Sequence, residues 1–253
     1  MIPGTKQDTR EKLIQVAIKL FAEHGFSGVS MRNINNAAGT KNSSAVHYHF
    51  GSKMGIIEAI MDKIDQLVDP VHKEIFADLD QRSDEGKLSV EDVLMAIQLP
   101  FWVLYSAPEW GRYAVKLCAR LMLEADEDLK QLYNRYLSAP VGRMYDVMHK
   151  LQPEKDEKQL RFQLSHCFMS TIAGSASIDL MDNTPLGDIR FEDNTQLVLT
   201  TVFYLANGLG CDKPDYSRLD MAFWMKYAKY LDVAPTAAGA SSLEEEATSP
   251  ALV

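Results

Sequence analysis

From Thr9 to Glu23 the apolar residues Leu13, Val16, Ala17, Leu20 and Phe21 recur at intervals of three and four, the period of a helix with one buried face. Asp8 or Thr9 is placed to cap its start, and Gly25 stands just past its end. Ser30 suits the N-cap of a second, shorter helix carrying Met31, Ile34, Ala37 and Ala38, and Gly39 closes it because glycine takes positive φ without steric cost. The polar run Thr40 to Ser44 follows. Ala45, Val46 and Phe50 then supply the apolar side of a third short helix ending near His49. Gly51 breaks that helix, and Ser52 caps a fourth with Ile56, Ile57, Ile60, Ile64 and Leu67 on one face. Helix, short helix, glycine turn, short helix is the spacing of a helix-turn-helix.

Helical periods continue to the end of the patterned region. Asp69-Pro70 predicts a helix start with the helix running to about Asp80, then a polar loop from Gln81 to Lys87. Ser89 with Asp92 three residues on reads as an acidic capping box for a helix to Tyr105, which Pro100 should kink. Pro108-Glu109 opens a helix to Glu124 with Tyr113, Leu117, Leu121 and Met122 inward; another follows from Asp126 to Met148, interrupted at Pro140. Pro153 begins a helix reaching about Asp179, Asn183 to Asp188 is a loop, and the last two helices span Asn194 to Asn207 and Tyr216 to Leu231. No stretch alternates with period two long enough to claim a sheet. The expected fold is all-α, with a flexible N-terminus (1–8), a three-helix helix-turn-helix domain (9–53) and a larger helical domain (54–232). Residues 54–68 would connect the two. The tail 233–253, mostly Ala, Ser, Gly, Thr and Glu without an aromatic, cannot bury enough apolar surface to order itself.

The N-terminal 45 or so residues resemble the TetR family of transcriptional regulators. The resemblance is carried by LFAEHGF (Leu20 to Phe26), by Ser30-Met31-Arg32-Asn33-Ile34, by Ala37-Ala38-Gly39 and by Tyr48-His49-Phe50-Gly51-Ser52-Lys53. It departs from the commonest family pattern by one extra residue between Gly39 and Phe50 and by the lack of an aromatic at His47. The resemblance implies a DNA-binding head, a variable body that takes a small apolar or amphipathic ligand, and dimerisation through the penultimate helices. No cofactor is implied.

Charge sharpens this picture. The net charge of −9 excludes a protein that coats nucleic acid over its whole surface. Residues 1–60 nevertheless hold seven Lys and Arg against four Asp and Glu, a net +3 that leaves −12 for the remainder. A basic head on an acidic body suits a local DNA contact. No window approaches the roughly 18 apolar residues of a membrane span. The N-terminus has no secretory h-region, and the three scattered cysteines, Cys118, Cys167 and Cys211, read as buried thiols in a reducing, cytoplasmic compartment.

Phosphates and base edges are met by cations and neutral donors. Thr40, Lys41, Asn42, Ser43 and Ser44 lie at the start of the third helix, where free N–H groups favour a phosphate. His47 and Tyr48 should share its outward face, Arg32 opens the second helix, and Lys53 matches the family lysine that contacts the backbone. Taken singly, each of these is an ordinary solvated side chain; their joint occurrence carries the DNA reading. His47 and His49, two apart, diverge on a helix and form no metal site. In the body, Trp102, Tyr105, Tyr113, Cys118, Met122, Phe168 and Met169 are the candidates to line a ligand pocket, with ordinary core as the bland alternative for each. Arg112, Lys116 and Arg120, spaced by four, would either greet an anionic ligand or form a solvated stripe. Gly174, inside Ala173 to Ser177, implies close helix approach across a dimer or within the body. The resulting expectation is a homodimeric, ligand-responsive repressor on a near-palindromic DNA operator, its recognition helices about 34 Å apart. An all-helical enzyme is the alternative, yet the chain holds no G-x-S-x-G, phosphate loop, H-E-x-x-H or CxxC, and no catalytic residue is nominated. A helical adaptor that does not bind DNA would leave the polar Thr40 to Ser44 run unexplained.

Overall fold

Ten α-helices, with short 3-10 turns, make up the regular structure seen in a computed structural model, which describes residues 6–40, 44–124, 126–181, 183–191, 193–209 and 219–230. They are α1 (Lys6–His24), α2 (Met31–Ala37), α3 (Ala45–Phe50), α4 (Lys53–Asp84), α5 (Val90–Tyr105), α6 (Gly111–Leu123), α7 (Glu127–Leu151), α8 (Glu157–Ala176), α9 (Asn194–Gly208) and α10 (Met221–Trp224). Among the described residues the only β pairing is an isolated bridge between Thr184 and Gly187. Cys211, the tail from 233 and the first residues of the expected final helix lie outside the described residues.

Local chemistry sets most boundaries. Ser30 caps α2 in a reciprocal box: its hydroxyl accepts from the Asn33 N–H at 3.1 Å, and the Asn33 amide oxygen accepts from the Ser30 N–H at 2.9 Å. Ser52 caps α4 by accepting from the Gly55 N–H at 3.0 Å. Gly39 and Gly51 both adopt positive φ, +61° and +71°, where the chain leaves α2 and α3. Ser89 and Asp92 form the expected box at the start of α5. Helix α1 starts before the expected cap, at Lys6.

The prolines behave differently from expectation. Helix α4 does not restart at Asp69-Pro70; it runs unbroken for 32 residues through Pro70. Pro140 likewise lies inside a continuous α7. An interior proline removes one hydrogen bond and costs about 3 kcal/mol. In α4 the buried stripe Ile64, Val68, Val71, Ile75 and Leu79 continues on both sides of it and holds the axis together. Helix α8 starts later than the sequence pattern predicts, at Glu157 behind the cap Asp156, and ends at Ala176 ahead of a 3-10 turn over Ile178–Leu180. Residues 221–230 form a single turn of α-helix followed by 3-10 turns.

Two apolar clusters result. One joins Leu13, Ile18 and Phe21 of α1 to Ile34, Val46, Ile56 and Ile60, and extends to Ala114, Leu117 and Leu121 of α6. The other gathers Ile75 and Leu79 of α4 with the inner faces of α5, α7, α8 and α9 and with Trp224 and Tyr227. Helix α4 contributes its first half to one cluster and its second half to the other, so it is the common beam of head and body.

Candidate functional site

The head is built around a polar residue that the sequence pattern does not single out. Asn35 is buried at 3% exposure on α2, and its side-chain oxygen accepts the Val46 N–H at 3.1 Å. That N–H belongs to the first turn of α3, where the nominal cap Ser44 makes no side-chain capping bond. The Thr40 hydroxyl lies 3.1 Å from the Asn35 carbonyl and 3.3 Å from its side-chain oxygen. Asn35 therefore caps α3 from across the turn and fixes the angle between α2 and α3. Replacing it by alanine leaves a buried N–H unpaired, at about 1–3 kcal/mol. The expected result is a lower thermal midpoint for Asn35→Ala with the head's amides exchanging faster with solvent; an unchanged midpoint and exchange pattern would reject this role.

Around that frame the expected DNA-contacting residues take distinct positions. Arg32, Ser44 and His47 are exposed, Tyr48 is 67% exposed, and Thr40 is half-buried. Lys41, Asn42 and Ser43 lie outside the described residues. Tyr48 packs edge-on to His49 at 5.1 Å, while Val46 and Phe50 turn inward onto the head cluster. Lys53 is engaged inside the head: its ammonium donates to the carbonyls of Phe26 at 2.7 Å and Val29 at 2.9 Å and sits 4.1 Å from the Phe26 ring centre. It thereby pins the α1–α2 turn to the start of α4, and one of its three donors is left for an outside acceptor.

The body holds a cavity of about 70 Å³ between α4, α5, α6, α7 and α8. Of the residues expected to line a pocket, Cys118 and Phe168 line it; Trp102, Tyr105, Tyr113, Met122 and Met169 do not. Trp102 is buried in the body core and meets Tyr105 edge-on at 5.5 Å. Tyr113 lies under Lys19, Met122 packs on the head cluster, and Met169 faces outward. The lining that sequence reasoning misses comes from α4 (Asp65, His72) and α7 (Tyr133, Tyr136), together with Pro100 and Pro140. Burial pushes the Cys118 thiol up to about 12 and raises the Tyr133 phenol, so both are neutral donors at pH 7. Burial holds His72 below the ordinary imidazole range. Asp65 is raised by burial and by its neighbours Asp69 and Asp62.

The basic stripe of α6 does not serve the cavity. Lys116 pairs with Asp179 at 2.6 Å, and Arg112 lies 3.7 Å from the same carboxylate. Arg120 donates to the Glu23 carbonyl at 3.2 Å, and the Glu124 carboxylate accepts the Phe26 N–H at 3.3 Å. The last turn of α6 thus grips the end of α1. Among the described residues, no group of three His, Cys, Asp or Glu could hold a metal ion, and no helix is long and apolar enough to cross a membrane.

Comparisons with known proteins agree with this architecture. Residues 13–60 match the family described as bacterial regulatory proteins, tetR family. The HTH-type transcriptional repressor AcnR of Corynebacterium glutamicum is 34% identical over 53 residues, which cover 21% of this chain and 28% of that protein. The chain therefore aligns with little more than a quarter of this curated relative's length. The fatty acid degradation regulator FadR of Bacillus halodurans superposes with a TM-score of 0.54 at 18% identity, over 83% of this chain and 98% of that one. The transcriptional regulator FadR of Bacillus subtilis, solved with stearoyl-CoA, gives 0.55 at 15% identity over 78% and 98%. At such identities the structures speak for the fold alone. Residues 13–60 thus carry the N-terminal domain of the tetR family, set on an all-helical architecture.

Proposed function

We propose that the chain is a cytoplasmic, homodimeric transcriptional repressor that binds a near-palindromic DNA operator through α2 and α3 and is released by a small apolar or amphipathic effector. The observation that carries the reading is the double role of α6. Cys118 lines the body cavity from that helix, and two and six residues further on Arg120 and Glu124 hold the end of α1. An effector that widens the cavity displaces α6, and the head moves with it. Such an effector needs only a higher affinity for the displaced arrangement.

Dimerisation has a candidate surface on α8 and α9. Phe162, Met169 and Tyr204 are exposed there, and Gly174 has nothing within 4 Å of the position a Cβ would take. Close approach at Gly174 is therefore not made among the described residues, which supports the reading that a second copy makes it. Phe162→Glu with Tyr204→Arg is expected to convert a dimer to monomer in sedimentation equilibrium; a dimer that survives both changes removes this surface from the proposal.

A mobility-shift assay with the DNA flanking its own gene tests the whole reading, with binding expected to weaken as salt rises. The coupling has its own test. In the double variant Arg120→Ala/Glu124→Ala, the effector still binds, but its effect on DNA affinity falls from the usual coupling of about 1–3 kcal/mol towards zero. Coupling that persists at full size would dismiss the α6 grip as its route.

A further inference from the structure

Among the residues that line the body cavity, Asp65 is the one carboxylate, and no lysine or arginine joins it. Asp65 lines the cavity, and among the described residues it makes no hydrogen bond or ion pair. Asp62 and Asp69 flank it one turn away on the same side of α4. Asp69 is matched by Lys73 at 2.6 Å, and Asp62 accepts the Tyr136 hydroxyl at 2.5 Å, so Asp65 is the carboxylate left over. His72, the remaining ionisable group on this part of α4 that lines the cavity, is kept neutral by burial. The basic residues of α6 are engaged by Asp179 and by the end of α1.

The backbone adds acceptors rather than donors. Pro100 and Pro140 both line the cavity, and neither has an N–H. The carbonyls of Ala96 and Tyr136, four residues before them on α5 and α7, lack the usual helical donor, and both residues also line the cavity. An apolar chamber whose charged lining residue is an unpaired carboxylate is short of positive charge. At about 70 Å³ it is less than half the roughly 150 Å³ of an apolar cavity that admits benzene, so its occupant is slender or opens it on entry.

We propose that the effector is a hydrophobic amine whose alkyl part fills the cavity and whose ammonium group meets Asp65, with the Asp62 and Asp69 carboxylates beside it. The proposal rests on the reading of the cavity as the effector site. It separates this chain from a receptor for acidic lipids, whose headgroups would face the Asp65 carboxylate. Burial, and then the neighbouring Asp69 and Asp62 charges, raise Asp65 despite the opposing pull of Lys73; a bound ammonium would add a second positive charge and return it toward its ordinary range.

Titration of the full-length protein with decylamine, decanol and decanoate, each followed calorimetrically, tests the assignment. Decylamine is expected to bind about tenfold more tightly than decanol, a preference equal to about 1.4 kcal/mol, and decanoate more weakly than either. The preference should shrink as salt is raised. It should vanish in Asp65→Asn and return in Asp65→Glu; Asp65 is exposed at the mouth, and an unchanged thermal midpoint confirms that the variants fold. Equal binding of amine and alcohol, or tightest binding of the carboxylate, overturns the amine assignment while leaving the cavity as an effector site. Failure of all three to bind overturns both. Amine binding that leaves DNA affinity unchanged supports the ligand class and counts against the regulatory reading.

Discussion

Asp92→Ala is expected to lower stability by about 3–5 kcal/mol, the cost of leaving one member of a buried ion pair without the other. At about 2–4 °C per kcal/mol for a chain of this size, the midpoint should fall by about 6–20 °C. Asp92 is fully buried and Arg82 is 5% exposed. The Arg82 guanidinium donates to Asp92 at 3.2 Å, to Asp220 at 3.2 Å and to the Lys87 carbonyl at 3.2 Å, and lies 4.5 Å from the Phe223 ring centre. Asp92 also accepts the Ser89 N–H at 2.9 Å and the Trp224 indole N–H at 2.5 Å. One carboxylate therefore caps α5, neutralises the last turn of α4 and anchors residues 220–224. Asp92→Asn keeps one acceptor oxygen, enough for the Trp224 indole or for Ser89 but not both, and turns an NH2 group toward the remaining donors, so it is expected to be destabilising as well. Urea or thermal unfolding followed by circular dichroism distinguishes the variants. A change below about 1 kcal/mol for the alanine variant would show that Arg82 finds water or Asp220 sufficient.

The same residue shows what a sequence can and cannot disclose. Ser89-x-x-Asp92 is legible because capping is local: donor and acceptor are three positions apart, and the bond forms whenever the helix does. Ser30, Gly39, Gly51 and Ser52 are legible for the same reason. That Asp92 also receives Arg82 and Trp224 depends on elements 10 and 132 residues away, and no local pattern encodes it. Asn35 escapes notice likewise. On α2 it reads as one more polar position between apolar ones, and only the arrival of Val46 eleven residues later makes it a cap. Prolines mislead in the opposite direction: Pro70 and Pro140 carry a strong local penalty, but packing along α4 and α7 outweighs it. In the body, an enrichment in aromatic and sulfur side chains signals burial without signalling direction. Trp102 faces the core, Met169 faces out, and the charged rim of the cavity comes from α4, whose first turns read in the sequence as a connector.

The head yields the second large effect. Arg32→Ala together with Tyr48→Ala is expected to weaken operator binding by about 1–3 kcal/mol for each DNA-touching side chain removed, and a symmetric dimer has two of each. Both side chains are exposed, and Tyr48 at 67% exposure presents its ring and hydroxyl on the outer face of α3, the face proposed to meet DNA. The folded state should be indifferent, since neither side chain packs into the head cluster. Lys53→Ala should behave otherwise. Two hydrogen bonds to the Phe26 and Val29 carbonyls and the packing on the Phe26 ring disappear with it, so DNA affinity and the stability of the head fall together. If its third donor meets a phosphate, the slope of log affinity against log salt also drops by about one for each head. Titrating labelled operator at several salt concentrations, alongside thermal melts, separates the two classes. The DNA assignment fails if the Arg32/Tyr48 variant binds operator as tightly as the unaltered protein, because the outer face of α2 and α3 would then take no part in recognition.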